Sequence, residues 1–200
     1  MILQQVTAPA SEPITASELQ LHLRLGDDVV LEETDLLQGI IQTAREHVED
    51  ITRRALFTQT WDMFLNYFPS GTEIKIPFGN LQSVTYVKYT DSDGNFTALT
   101  EGSDYIVETN GCHCGFVKLP YSGSWPSATL GVSNPIHIRF VAGWSDTDDI
   151  PAKIKVAIKM ICHDLYENRE SQAFVSSGGY IENSTVGKLL SSVRLMDAFR

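Results

Sequence analysis

The spacing of apolar residues changes twice along this chain of 200 residues. Over residues 33–54 the apolar positions recur three or four residues apart, which places them on one face of a long helix; they are Leu37, Ile40, Ile41, Ala44, Val48 and Ile51. Upstream, Thr15 and Glu18 have the spacing of a capping box, which predicts a shorter helix ending near Leu25. We expect residues 26–28 to break the chain between the two helices.

From Gln59 the apolar period falls to two, which is typical of a β-strand. Further strand candidates alternate with turn-rich segments at 73–77, 83–90, 96–99, 105–108, 116–119 and 136–141. Asp91 to Gly94 joins two of these strands, and its Asp-Gly pair supplies the positive φ angles of a tight hairpin.

After Trp144 the helical period returns, with Asp149 as a candidate cap and Pro151 in the first turn. The apolar stripe of this predicted helix consists of Ile154, Ala157, Ile158, Ile161 and Leu165. Residues 171–185 are rich in Gly and Ser, which indicates a flexible linker. A last helix is expected over 186–200.

Together these patterns predict an α+β fold in one domain spanning residues 1–200. Its helical body contains two N-terminal helices within 12–58, one long helix after the sheet at 150–170, and a C-terminal helix. An antiparallel β region is inserted at 59–145.

Composition and charge restrict the function. The net charge of −10 argues against a protein that clamps nucleic acid, since such binding depends on Lys and Arg. An acidic wall would instead let a phosphate backbone slide past. The first residues lack the pattern of a secretory signal, and no apolar run reaches the roughly 18 residues of a membrane span. We therefore expect a soluble protein made inside the cell, with no membrane partner.

Candidate metal and catalytic motifs do not fit known sites. Cys112-His113-Cys114 with Cys162-His163 suggests zinc, but structural sites place about two to four residues between paired cysteines. Asp91 to Asn95 resembles the start of a calcium loop, yet its Gly is fourth rather than sixth. No nucleophile or phosphate-loop motif occurs. Trp61, Trp125 and Trp144 suggest either core packing or a sugar-stacking face. We expect no enzyme, metal or cofactor.

Several motifs in a fixed order resemble one protein family. They are the segments 13–25, 40–56 and 59–69, then Ile76-Pro77, Leu81-Gln-Ser-Val84, Tyr89-Thr-Asp-Ser-Asp-Gly94 and Tyr105, and finally Ala142-Gly-Trp144 and Tyr166-Glu-Asn-Arg-Glu170. Spread over residues 12–170, they are similar to the head-tail connector, or adaptor, proteins of long-tailed phages and gene transfer agents. Lys188-Leu-Leu190 with Arg194 resembles the end of that family only loosely, and the Cys112-His-Cys114 loop departs from it.

The resemblance implies a structural neck protein of the virion that forms a ring, expected to be dodecameric. The ring would join the portal protein to a stopper or tail-terminator protein, and genome DNA would pass through its lumen without specific binding. A stopper or tail-completion protein is the alternative, and a ligand-binding β module is a more distant one.

Two groups of residues are candidates for assembly contacts. The last helix is expected to bind the portal, with packing on its own subunit as the alternative interpretation; the residues are Leu189, Leu190, Val193, Arg194 and Met196. Four charged residues are candidates for ion pairs between subunits, or else for solvated helix surface: Arg53, Arg54, Glu167 and Arg169.

Overall fold

The computed structural model describes residues 1–111, 113–168 and 184–195, apart from the side chains of 27–32 and 184. The chain forms two compact units. The β unit comprises Met1–Ala10 and Phe57–Trp144, and the helical unit comprises Ser11–Leu56 and Ser145–Arg200. The predicted α+β class is confirmed. That the two units act as one domain stays a prediction.

The described part of the helical unit contains α1 (Ala16–Leu23), α2 (Asp27–Thr52), a short 3-10 helix (Thr147–Asp149), α3 (Ala152–Glu167) and α4 (Ser184–Ser191). The capping box of α1 is confirmed, because the Glu18 amide donates to Thr15 Oγ1 at 3.2 Å and the Thr15 amide donates to Glu18 Oε2 at 2.9 Å. The helices bury one apolar core, which includes Leu19, Leu37, Ile41, Val48, Ile154, Ile158 and Leu190.

Three predicted helix boundaries were wrong. The break between the first two helices falls at residues 24–26 and not at 26–28, because Gly26 is the N-cap of α2 and Asp27 is already helical. The predicted start of the second helix at Glu33 instead marks a kink with φ −111° and ψ 17°. Pro151, not Asp149, caps α3, because the 3-10 helix takes up Asp149. The last helix ends at Ser191 and not at 200, because the chain turns there. The predicted linker lies outside the described residues, except for its last two, which belong to α4.

The β unit contains eight strands in the part of the chain described: β1 (Ile2–Thr7), β2 (Gln59–Leu65), β3 (Glu73–Gly79), β4 (Leu81–Thr90), β5 (Phe96–Leu99), β6 (Ile106–Glu108), β7 (Cys114–Lys118) and β8 (Ile136–Ala142). They form a five-stranded sheet in the order β1-β2-β8-β4-β5 and a three-stranded sheet in the order β3-β7-β6. Every pairing is antiparallel. The seven predicted strands are confirmed, and β1 was not predicted.

The register of the larger sheet separates an apolar face from a polar face. One row across its five strands is apolar and consists of Leu3, Met63, Ile138, Val87 and Leu99. The next row faces the other way and consists of Ile2, Phe64, His137, Lys88 and Ala98. Met63, Val87 and Ile138 are fully buried, so the apolar face forms the core of this unit.

The first and last residues of the 57–144 segment are held together through Ala142-Gly143-Trp144, one of the motifs named in the sequence analysis. Gly143 has φ 115°, and a side chain there would collide with the carbonyl of Phe57. The side-chain amide of Gln82 donates to the Gly143 carbonyl at 2.9 Å and to Thr58 Oγ1 at 2.8 Å. Thr58 in turn donates to the Trp144 carbonyl at 3.1 Å. The points where the chain enters and leaves the 57–144 segment are thus bonded side by side.

Candidate functional site

The segment after α4 is fixed to the C-terminal end of α2. Nε of Arg54 donates to the Val193 carbonyl at 2.6 Å, and the Leu195 amide donates to the Thr52 carbonyl at 2.9 Å. Both acceptors would otherwise need water, since a helix end and a turn leave carbonyls unpaired. These two bonds hold residues 192–195 on the helical unit.

The predicted portal-binding residues differ in accessibility. Leu190 is fully buried in the helical unit, while Leu189 and Val193 are half-buried and Arg194 is exposed. Met196 lies outside the described residues. Leu190 therefore packs on its own subunit, as the alternative interpretation expects. Leu189, Val193 and Arg194 keep surface that a partner can reach. Portal binding itself stays a prediction.

The charged candidates for subunit contacts also separate into two classes. Arg53 and Glu167 are exposed, and Arg53 is the left-handed C-cap of α2 with φ 57°. Arg54 is buried and donates within its own subunit. Arg169 lies outside the described residues. Arg53 and Glu167 are therefore the two whose described geometry leaves the charge accessible, and their contacts with another subunit stay a prediction.

A buried arginine that the sequence analysis missed ties three segments of the helical unit together. Nε of Arg45 lies 2.8 Å from Glu12 Oε2, and its Nη1 lies 2.6 Å from Glu49 Oε2. The other oxygen of Glu49 accepts from the Leu56 amide at 2.7 Å. The spacing of Arg45 and Glu49 is a detectable signal for an ion pair on a helix. Nothing in the spacing of Glu12, 33 residues upstream, points to this cluster.

Burial has opposite consequences for the acids and the base of this cluster. Burial raises the pKa of Glu12 more than the neighbouring Arg45 lowers it. Burial alone would lower the pKa of Arg45, but the carboxylates of Glu49 and Glu12 outweigh it, so this pKa is raised. The guanidinium therefore stays charged at every physiological pH, and its carboxylate partners are needed to compensate it.

The polar face of the larger sheet carries a second cluster that the sequence analysis missed. Arg139 binds the buried Asp62 carboxylate in a bidentate manner, with both N–O distances 2.7 Å. Nε2 of His137 lies 3.0 Å from Asp62 Oδ1 and 3.3 Å from Tyr86 Oη. Phe64 stacks on the His137 ring, with centroids 4.5 Å apart. The alternation of these residues along β2, β4 and β8 was visible in the sequence, but their strand order was not.

The neighbours of Asp62 compensate its charge within this second cluster. Hydrogen bonding from Arg139, followed by that from His137, lowers the pKa of Asp62 despite its burial. Burial raises the pKa of Tyr86, and the Asp62 charge adds to this effect. The lone pairs of the carboxylate are thus occupied, and Asp62 is not placed to act as a general base. The arrangement stabilises the sheet.

The metal hypotheses gain no support from the described residues. Within them, no group of three or more His, Cys, Asp or Glu side chains is arranged to hold a metal ion. Cys114 and Cys162 are both buried, and burial raises the pKa of the Cys162 thiol to about 12. Cys112 lies outside the described residues. Asp91 instead closes the β4-β5 hairpin, because its Oδ1 accepts from the amides of Asp93 and Asn95 at 2.9 and 2.8 Å.

Trp125, one of the residues considered for a sugar-stacking face, packs against its own unit. Trp125 stacks on Phe68 at 5.3 Å, and its Nε1 donates to the Gly71 carbonyl at 2.8 Å. A cavity of about 260 Å³ lies beside it, lined by Leu99, Asp104, Ser124, Trp125, Pro126 and Ser127. It is smaller than the roughly 300–1,000 Å³ of typical ligand sites.

The helices whose residues are described include none long and apolar enough to cross a bilayer.

Solved structures share this fold along its whole length. A chain from the neck of an empty gene transfer agent (GTA) particle, computed with C6 symmetry, is 20% identical, with a TM-score of 0.80. A chain from the virion of the native GTA particle is 19% identical with a TM-score of 0.79. One from the neck of the native particle, computed with C12 symmetry, is 19% identical with a TM-score of 0.72. Each alignment covers 100% of this chain and 98% of the other.

No protein-family model and no curated protein sequence matches the chain. At identities of 19–20% the structural likeness establishes the fold. The protein therefore has the α+β fold of GTA neck chains, and the resemblance expected from the sequence is confirmed for the fold.

Proposed function

We propose that this protein is a structural, non-catalytic component of a virion neck. It forms a ring that serves as the head-tail adaptor, binding the portal protein on one side and a stopper or tail-terminator protein on the other. Genome DNA passes through the lumen without specific binding. The observation that carries this proposal is the whole-length fold shared with GTA neck chains at a TM-score of 0.80. One of those necks was computed with C12 symmetry and another with C6 symmetry, and a ring of twelve copies is compatible with both.

The charge of the chain fits a conduit better than a nucleic-acid clamp. A net charge of −10 disfavours persistent binding of the phosphate backbone. In the described residues, both buried charge clusters are compensated internally: Glu12 and Glu49 pair with Arg45 in one unit, and Arg139 pairs with Asp62 in the other. Neither offers a reactive group to a substrate. These features support a structural role.

Deleting the gene and imaging the resulting particles by electron microscopy tests the proposal. An adaptor predicts emptied or leaking heads beside complete free tails. Intact tailed particles contradict a neck role and favour the ligand-binding alternative. Mass spectrometry of the purified heads then separates adaptor from stopper. Without the adaptor, no further neck protein has a ring on which to dock, whereas heads that lack only the stopper retain the ring beneath it.

The exposed end of α4 is the proposed portal contact. We expect Arg194→Glu to weaken binding to the portal ring at least tenfold, because it reverses an accessible charge beside Leu189 and Val193. Its melting temperature should match the wild type. Arg24→Glu, at an exposed arginine on the end of α1, is the matched control. Equal portal affinity of Arg194→Glu and Arg24→Glu contradicts the contact.

Truncation after Gly179 is a less selective test of the same contact. It removes Leu190, which is fully buried, together with the Val193 carbonyl that Arg54 binds. We therefore expect the truncated chain to lose stability as well as portal binding. Loss of binding with an unchanged melting curve would instead show that this segment serves the partner alone.

A further inference from the structure

The two outer strands of the larger sheet lack the features that normally protect a sheet edge. β1 and β5 lie at its two edges, and in the described residues no strand pairs with the outer side of either. Their sequences, ILQQVT and FTAL, contain neither a charge nor a proline. Ile2 is 52% exposed and Phe96 is 74% exposed. Such edges present free backbone donors and acceptors to another chain.

The smaller sheet of the same unit shows the contrast. Its edge strand β3 carries Glu73, Lys75 and Pro77, and its other edge, β6, ends in Glu108. Lys118 on the central strand lies 2.7 Å from the Glu108 carboxylate. Charges and proline are the usual protection against edge pairing. The protein thus protects the edges of one sheet and leaves those of the other available.

The geometry of the larger sheet indicates which edges can meet. Since five strands alternate in direction, β1 and β5 run the same way. If the β1 strand of a second copy lies along β5, the two strands are parallel. Leu3 of the second copy can then extend the apolar row that ends at Leu99, and Ile2 can lie beside Ala98. Because the two patches differ, the contact is heterologous and generates rings or filaments.

We propose that copies of this chain join through β5 of one subunit and β1 of the next, in parallel and with Leu99 beside Leu3. This inference rests on the proposed function for its expectation that the chain forms a closed ring. In this register residues 97–99 face residues 1–3 of the next subunit, so their backbone groups can pair, and the continued apolar row fixes the register. The larger sheets of all subunits would then form one hydrogen-bonded belt.

Disulfide trapping tests the joint in the full chain. The variant Ile2→Cys with Ala98→Cys, in a Cys112→Ser background, places the two thiols side by side only if β1 meets β5 in this register. Mild oxidation should yield a ladder of trimers and larger species on a denaturing gel. The single variants Ile2→Cys and Ala98→Cys should yield no ladder. Dimers from Ile2→Cys alone would indicate a β1-β1 contact and overturn the proposal.

Charge substitutions provide a second test with a matched control. Ile2→Lys and Ala98→Glu, at the two positions that face each other in this register, should each reduce the fraction of assembled rings in electron micrographs at least tenfold without changing the melting temperature. Ile106→Lys, on the already charged β6 edge, should assemble as the wild type does. Equal assembly of all three variants overturns the joint.

The two proposals fail separately. Rings that form without a disulfide ladder discard this joint and leave the neck function intact. A ladder from a protein whose deletion leaves tailed particles complete discards the neck function and retains the joint.

Discussion

The helical unit and the β unit each contain a cluster built around a buried charge, and they compensate that charge in different ways. In the helical unit the buried charge is a cation, Arg45, held by carboxylates from separate segments of the chain. In the β unit it is an anion, Asp62, held by two side chains of the neighbouring strand β8. The first cluster joins elements that otherwise lack backbone pairing, while the second adds to an existing ladder. The two units should therefore respond differently to loss of charge and to pH.

Removing the buried cation should have the largest effect. Arg45→Met leaves the side chains of Glu12 and Glu49, which are 31% and 13% exposed, without their cation. We expect a loss of about 3–5 kcal/mol in the free energy of unfolding, as is usual when one partner of a buried ion pair is removed. Urea denaturation followed by helical circular dichroism measures it.

Arg53→Met removes an exposed arginine from the end of the same helix and serves as the control. It should change stability by no more than about 0.5 kcal/mol. Similar losses in Arg45→Met and Arg53→Met would show that the cluster contributes little to stability.

Removing the buried anion should have a smaller effect that depends on pH. Asp62→Asn loses charge-assisted bonds to Arg139 and His137, which should cost about 2 kcal/mol at neutral pH. The folded pKa of Asp62 is lowered, so its stabilisation is present above the unfolded value near 3.8 and is lost as pH falls through the folded pKa. The gap between wild type and variant should therefore narrow in acid.

Unfolding free energies measured between neutral and acid pH test this dependence. Asp93→Asn, at an exposed position, is the control and should stay parallel to the wild type. A gap between wild type and Asp62→Asn that is constant with pH would mean that the charge of Asp62 does not matter.

Neutralising an acid of the first cluster should give the smallest effect and the opposite slope. The folded pKa of Glu12 is raised above 4.5, so its contribution to stability is greatest below that value and is lost as pH rises through the folded pKa. Glu12→Gln has no carboxyl group to ionise at this position, so the variant does not lose stability in this way. The variant should therefore gain stability relative to wild type as pH rises, with a total change of about 1 kcal/mol or less.

The same pH series measured for Glu12→Gln and Asp62→Asn compares the two units directly. Parallel slopes for the two variants would contradict the contrast between them.

Local patterns predicted most elements of this fold, while long-range pairing explains what they did not predict. The capping box at Thr15 and the Asp-Gly hairpin are signals within four residues, and both are confirmed. β1 was missed because its alternation is weak and its partner β2 lies more than fifty residues away. The early start of α2 was missed because Gly26 is a cap as well as a breaker.

The candidate site follows the same rule. Arg53 is exposed at the end of α2, as either interpretation of the sequence allows, whereas the burial of Arg54 depends on the Val193 carbonyl, 139 residues away in sequence. Periodicity marked Leu190 as apolar but did not indicate what it packs against. The clusters around Arg45 and Asp62 were missed because each needs the tertiary arrangement of its segments or strands.

The contact around Gly143 between the two ends of the 57–144 segment has a consequence for how this chain can be rearranged. Residues 57 and 143 are in contact, so the two ends of the segment 57–144 lie close together. We expect that this segment, the β cassette, can be removed and that a short turn can then join Leu56 to Ser145. A shortened protein would have to begin at Ser11, since β1 would lose its only described partner strand when the cassette is removed. We therefore expect the helical unit to fold without the cassette, and the same junction to accept β cassettes of different length.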